Sequence, residues 1–247
     1  MSIQRLKSDQ YEEAIKLSMY AFQYKVQDHE IDKRKKMLDK QQIIGIWEED
    51  RLASKLHMLS LQISINGHDW KMGGIAGVAT YPEYRRKGHV KELIAQSLKE
   101  MKSKGEVFSF LHPFDIGFYR KYGWEIFAEN KKVIIETKDL AMIGQLAGTI
   151  KRVNKSGNQS IEQMYKEYIS HYSGGLVRDQ DWWKTSIYSH DDEIAVFTNE
   201  QGQETGYMIY EIQDRVMRVS EYVGLDQEAR VQLWNFICQH DSMLGKV

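Results

Sequence analysis

Arg85-Arg86-Lys87-Gly88 sets three cations against a glycine where a strand-like run gives way to a helix-like one. Before it, Ile75 to Thr80 is apolar and breaks at Pro82. After it, Val90, Leu93, Ile94, Leu98 and Met101 recur at spacings of three and four, which predicts one apolar stripe on a helix. A helix start leaves its first backbone N–H groups without intrahelical partners and carries partial positive charge, so it favours an anion. Gly88 lets the backbone approach closely, and guanidinium groups grip phosphate oxygens two at a time. The chemistry indicated is a diphosphate cradle, with an ordinary basic turn as the alternative these residues also allow. The segment contains neither Gly-x-x-x-x-Gly-Lys-Ser/Thr nor Gly-x-Gly-x-x-Gly.

The stretch Arg85-Arg86-Lys87-Gly88-His89-Val90 resembles the Arg/Gln-x-x-Gly-x-Gly/Ala loop of the GNAT N-acetyltransferase superfamily, which holds the pyrophosphate of acetyl-CoA. Val90 stands where glycine or alanine is usual, a departure that resembles the Eis-like (enhanced intracellular survival) branch. The resemblance implies that Arg85, Arg86, Lys87, Gly88, His89 and Val90 hold the phosphates. It also implies that Val78 and Thr80 line the acetyl-pantetheine arm with their backbone. Downstream, Phe118-Tyr119-Arg120-Lys121-Tyr122-Gly123-Trp124 resembles the Phe-Tyr-x-Lys-x-Gly-Phe segment of the same superfamily, whose tyrosine protonates the departing CoA thiolate.

The implied reaction explains why such a tyrosine is wanted. An amine attacks the thioester carbonyl, an oxyanion forms, and sulfur leaves as an anion that needs a proton. A phenol, with a reference pKa of about 10, is still protonated at neutral pH and can donate. The oxyanion needs a preorganised donor, for which a backbone N–H near Val78 is expected. Motif register assigns the acid role to Tyr119; Tyr122 is the competitor within the segment, and most of the fourteen tyrosines must be structural. His112 lies just past the predicted strand Val107 to Leu111, on a loop of the kind that carries function, and a histidine here lines the amine pocket in the Eis-like branch. A lone histidine is more often a satisfied structural residue, and that reading stands beside the functional one. Asp28, with His29 and Glu30, could form an acidic wall for a cationic amine or simply begin a helix.

These residues need a scaffold. Predicted elements run as a strand Ile3 to Leu6, a helix capped by Ser8 or Asp9 and reaching Tyr24, and a helix Glu30 to Leu38. Strands Gln42 to Trp47 and Leu52 to Ile65 follow, with a hairpin at Asn66-Gly67. The strand ending at Thr80, the cradle helix stopping at Lys104-Gly105, a short helix Asp115 to Lys121 and a strand Trp124 to Thr137 complete a first half. After a link near Lys138 to Thr149 the pattern restarts: strand Ile150 to Val153, helices Ile161 to Tyr172 and Gln180 to Ser189, strands Glu193 to Thr198, Glu204 to Ile212 and Val216 to Val223, and helix Gln227 to His240. The fold class expected is therefore α/β, a mixed α+β sheet in tandem GNAT-like domains, 1–138 and 139–247. The second is expected to be degenerate, because Asp226 and Glu228 open its last helix where the first half has Arg-Arg-Lys-Gly, and would repel a pyrophosphate.

Composition bounds the rest. A formal net charge of −1 lacks the basic footprint of a nucleic-acid binder, and 42% hydrophobic content across 247 residues supports a real core. With Cys238 alone, no disulfide framework or cysteine metal cluster is expected, and histidine spacing builds no zinc site. The N-terminus lacks an apolar signal core and no membrane span is evident, so a cytoplasmic setting is expected. The resemblance adds acetyl-CoA as cosubstrate, a small-molecule or peptide amine as acceptor and a homo-oligomeric assembly. It further implies a sterol-carrier-like third domain whose terminal carboxylate serves as base. By the duplication the second half lacks its last strands, so the natural protein is expected to continue past Val247; the alternative gives the base role to the Val247 carboxylate. Other functions compatible with the motifs are a non-catalytic acyl-CoA-binding module and a tandem-GNAT aminoacyl transferase.

Overall fold

The computed structural model describes residues 2–144, 147–154, 159–188 and 192–247. The chain divides into two compact units: the chain up to Ile63 with Asp69–Glu129, and Ser64–His68 with Asn130–Val247.

In the first unit the order is β1 (Ile3–Arg5), α1 (Tyr11–Phe22), α2 (Ile31–Leu38), β2 (Gln42–Glu48), β3 (Arg51–Ile65), β4 (His68–Thr80), α3 (His89–Ser103), β5 (Phe108–Leu111) and α4 (Ile116–Arg120). The strands lie side by side in the order β1-β2-β3-β4-β5, antiparallel except for the parallel β4–β5 pair. Left-handed backbone at Asn66 and Gly67 (φ 50° and 74°) closes the predicted hairpin, as a tight turn matching strand twist requires. Helices cover both faces. Ile43 joins Leu6, Ala14 and Leu17 in one apolar cluster, whereas its neighbour Ile44 joins Leu56, Leu93, Ile94 and Met101 in another.

The second unit holds β6 (Thr149–Val153), α5 (Gln159–Ser170), β7 (Gly175–Val177), α6 (Gln180–Trp182) running into a π-helical turn Trp183–Ile187, β8 (Glu193–Thr198), β9 (Glu204–Gln213), β10 (Val216–Gly224) and α7 (Gln227–Cys238). Its sheet runs β10-β9-β8-β6, all antiparallel. Ile194, Val196 and Ile209 pack with Ile161, Met164 and Trp183, while Ala195, Phe197 and Met208 pack with Ala229, Leu233 and Ile237. Both faces of this sheet are covered too, so the mixed α/β, tandem expectation holds.

Several local expectations need correction. Residues 124–135 form no strand: Glu125, gripped by Arg120 at 2.6 Å, takes the N–H of Ile126 at 2.9 Å, and Ile126, Phe127, Val133 and Ile134 remain exposed. The N–H of Ile135 donates to Val247 O and that of Val247 donates back, both at 2.9 Å. Leu98 is exposed, and Ser97, fully buried and donating to Ile94 O, takes its place on the stripe. The first helix starts after a 3-10 turn Ser8–Gln10, and Gln10 rather than Ser8 or Asp9 reaches back to the Lys7 N–H. It stops at Phe22 because Gln23 turns left-handed, at φ 56°. The short strand β7 went unpredicted, and the expected helix end at Ser189 lies outside the described residues.

Candidate acetyl-CoA site

The last paired residues of β4 and β5 are Ile75 and Leu111, yet β4 continues to Thr80. The two parallel strands therefore part beyond Ile75. Tyr81 N–H donates to Ala53 O on β3 at 3.1 Å. By strand alternation, Val78 and Thr80 aim their backbone groups the other way, toward the opening left by β5. Gly77 interrupts the strand with φ +55°, and a Cβ there would come 2.9 Å from the ring of His57.

From Thr80 the chain turns through a 3-10 segment, Pro82–Tyr84, braced by Arg51, which bonds Glu83 at 2.9 Å and lies 4.2 Å over the Tyr81 ring. Arg85 and Arg86 are exposed, Arg86 at φ +65°, and Arg85 Nε donates to Thr80 O at 3.4 Å. Gly88 is the N-cap of α3 at φ +88°, with no side chain capping the helix and open space where a Cβ would stand. The first N–H groups of α3 thus lack a protein side-chain acceptor, which suits an anion.

Two cradle residues are committed elsewhere. Lys87 bonds Glu48 at 2.6 Å and lies 5.0 Å over Tyr84; its ammonium holds the Glu48 carboxyl below the ordinary carboxylate range. His89 is buried, with Nε2 3.0 Å from the other Glu48 oxygen but without the alignment of a hydrogen bond. What His89 presents to a ligand is backbone.

Tyr119 is 5% exposed, in the cluster that also gathers Val78, Val90, Leu93 and Trp124. Asp115 caps α4 by accepting from Phe118 N–H at 2.5 Å, and the turn ending at Gly123 brings Trp124 back so that its N–H donates to Tyr119 O at 3.3 Å. Phe114, Phe118 and Trp124 stand edge-on to the Tyr119 ring. Burial pushes the phenol upward, keeping it protonated. Tyr122 packs at the margin of the same cluster. His112 and Asp28 are exposed on separate elements, the loop after β5 and the 3-10 turn Asp28–Glu30, and neither belongs to this cluster.

A buried polar chain escaped the sequence reading. Lys55 on β3 is fully buried; its Nζ donates to Gly77 O at 2.9 Å and lies 2.7 Å from His57 Nε2, while His57 Nδ1 lies 2.7 Å from Gln41 Oε1. Burial lowers Lys55 to about 7 and drives His57 well below the ordinary histidine value. The signal was present: a lysine and a histidine two apart between Leu52-Ala53 and Met58-Leu59, in the buried part of the strand.

At the second unit's corresponding helix the N-terminus is closed. Asp226 caps α7, accepting the Ala229 N–H at 2.7 Å. Among the described residues no cluster of three or more potential metal ligands occurs, and no helix is long and apolar enough to cross a membrane.

Residues 2–127 match the acetyltransferase (GNAT) domain family, and a second acetyltransferase (GNAT) domain model matches 174–247. The chain belongs to the GNAT acetyltransferase family. It is similar to an uncharacterized N-acetyltransferase of Streptomyces avermitilis, 20% identical over 87% of this chain and 57% of the relative. It is also similar to the N-acetyltransferase Eis of Mycobacterium tuberculosis, 23% identical over 69% of this chain and 45% of Eis. The chain thus spans about half the length of the curated relatives it matches. Among solved structures, a probable N-acyltransferase of unknown function from Enterococcus faecalis superposes with a TM-score of 0.90 at 26% identity, over 99% of this chain and 64% of that one. Eis1 of Mycobacterium abscessus shares the fold, with a TM-score of 0.79 at 17% identity over 100% of this chain and 65% of Eis1.

Proposed function

We propose that this GNAT chain carries the catalytic site of an acetyl-CoA-dependent N-acetyltransferase acting on a primary amine. The observation that carries the reading is the uncapped α3 start at Gly88, reached from a β4 that has parted from β5, with Tyr119 and Val78 in one cluster. Arg85, Arg86 and the first N–H groups of α3 hold the diphosphate, with Lys87 contributing through a charge shared with Glu48. Thr80 and Val78 offer backbone groups to the pantetheine arm. Acetyl-CoA supplies an activated thioester carbonyl when bound. Val78 N–H receives the oxyanion that forms as the amine adds, and Tyr119 gives its proton to the thiolate as the carbon–sulfur bond breaks. The proton lost by the amine goes to a base outside this assignment. Positioning and electrostatics carry most of the rate, because amine and thioester are already a competent pair.

The acceptor class is a small-molecule or peptide amine, such as an aminoglycoside, a polyamine or a lysine side chain. His112 and Asp28 remain proposals for its pocket. The second unit, closed by Asp226, takes no CoA, and a cytoplasmic homo-oligomer is the assembly the family likeness suggests. Isothermal titration with acetyl-CoA and a thiol-release assay over an amine panel test the function. One bound CoA per chain with amine-dependent thiol release is expected. Absence of CoA binding refutes the reading, and binding without turnover on any amine favours a non-catalytic acyl-CoA-binding module.

A further inference from the structure

The Gly77 carbonyl and the Val78 N–H belong to one planar peptide unit and point in opposite directions. Fixing one fixes the other. In an unbroken antiparallel ladder a backbone N–H of β3 would hold that carbonyl; here, where Gly77 adopts φ +55°, the donor is the Lys55 side chain, at 2.9 Å. Lys55 is itself held: His57 Nε2 lies 2.7 Å from its Nζ, and His57 is anchored through Nδ1 by Gln41 at 2.7 Å. With Nδ1–H donating to the Gln41 oxygen, Nε2 is free to accept one Lys55 proton while Gly77 O accepts another. The His57 ring also fills the space beside Gly77 that a side chain would need, so both edges of the irregular backbone are supported.

Building such a chain costs the burial of two ionisable groups, which apolar residues would avoid. We infer that Lys55 is a positioning residue for the Val78 amide: holding the Gly77 carbonyl from the β3 side, it keeps the N–H of the same peptide aimed into the opening between β4 and β5. A donor on the carbonyl also polarises the amide and makes its N–H a stronger donor to developing negative charge. Lys55 does not touch the reacting atoms; it acts through one peptide plane. The inference rests on the site proposed above.

The test compares wild type with Lys55→Met and Lys55→Gln. Lys55→Met is expected to lower kcat roughly tenfold, less than the ~10²–10³-fold typical of deleting an oxyanion donor outright, while acetyl-CoA affinity stays within about twofold. Lys55→Gln, whose amide can still donate, is expected to recover part of the loss. Unchanged kcat in a turning-over Lys55→Met enzyme overturns the inference alone; a wild type that neither binds acetyl-CoA nor releases thiol overturns the site and the inference together. Should Lys55→Met fail to fold, a crystal structure of the wild type with a ketone analogue of acetyl-CoA decides. A ketone oxygen within hydrogen-bond reach of Val78 N, with Lys55 still on Gly77 O, supports it; a ketone oxygen on another donor overturns it.

Discussion

The ring of His57 occupies the place that a side chain on Gly77 would need, 2.9 Å from the position of its Cβ. Glycine is required there twice, by the close approach and by φ +55°. Gly77→Ala is therefore expected to destabilise the protein by about 1–3 kcal/mol, the range for backbone strain of this kind. It should also lower turnover by tilting the Val78 amide. Denaturant unfolding and a kcat measurement on the soluble variant check both; a variant as stable as wild type removes the argument.

Lys55 gives the protein a pH-dependent stability with a defined sign. Burial lowers it to about 7 in the folded chain, against about 10.4 for an unfolded lysine. Between those values the unfolded chain holds a proton that the folded chain has released, so stability rises with pH across the window, by a total on the order of a few kcal/mol. The cost is complete below about 7. His57, lowered by burial and then by Lys55, adds the same direction at more acid pH. Thermal melts from pH 6 to 9 should show wild type gaining on Lys55→Met as pH rises; parallel curves would contradict the assignment.

Tyr119→Phe is expected to keep acetyl-CoA affinity and lower turnover ~10²-fold, the scale for loss of a general acid. Tyr122→Phe, at the margin of the cluster, should change turnover little. Equal effects of the two substitutions, or none, would remove Tyr119 from the acid role.

The cradle cations should not be equivalent. Arg85→Ala and Arg86→Ala each remove an exposed guanidinium and are expected to weaken acetyl-CoA binding by about tenfold, the lower end for a charge-assisted hydrogen bond. Lys87→Ala should cost less, because its ammonium is shared with Glu48. Glu48→Gln should then tighten binding by freeing that charge. Calorimetric Kd values at low salt rank the four; Glu48→Gln weakening the affinity would show that Lys87 needs its partner for position.

Asp226→Ala removes the cap of α7 and should cost about 1 kcal/mol of stability. Acetyl-CoA stoichiometry should stay at one per chain. A second bound CoA in this variant would show that the cap alone closes that helix end.

Legibility followed the range of the interactions involved. The cradle could be read because every element of it is local: a strand run, Pro82, three cations, a glycine and a periodic helix lie consecutively in the chain. The acidic start of the last helix at Asp226 was legible for the same reason, while the structure added that Asp226 caps it through the Ala229 N–H. Leu98 was misassigned because spacing gives the width of a stripe but not which edge meets the sheet, and Ser97 took the buried place. The segment from Trp124 read as a strand by its apolar content, but Glu125 took the N–H that a ladder would have used.

By itself, then, the sequence determined the family, the tandem α/β plan, the anion-binding helix start and the identity of Tyr119 as a candidate acid. Tertiary structure alone decided that β4 leaves β5 after Ile75, that Lys87 and His89 turn toward Glu48, and that Lys55 holds the Gly77 carbonyl. Those relationships join strands distant in the chain, and a buried lysine and an exposed one are the same letter until the sheet supplies their neighbours.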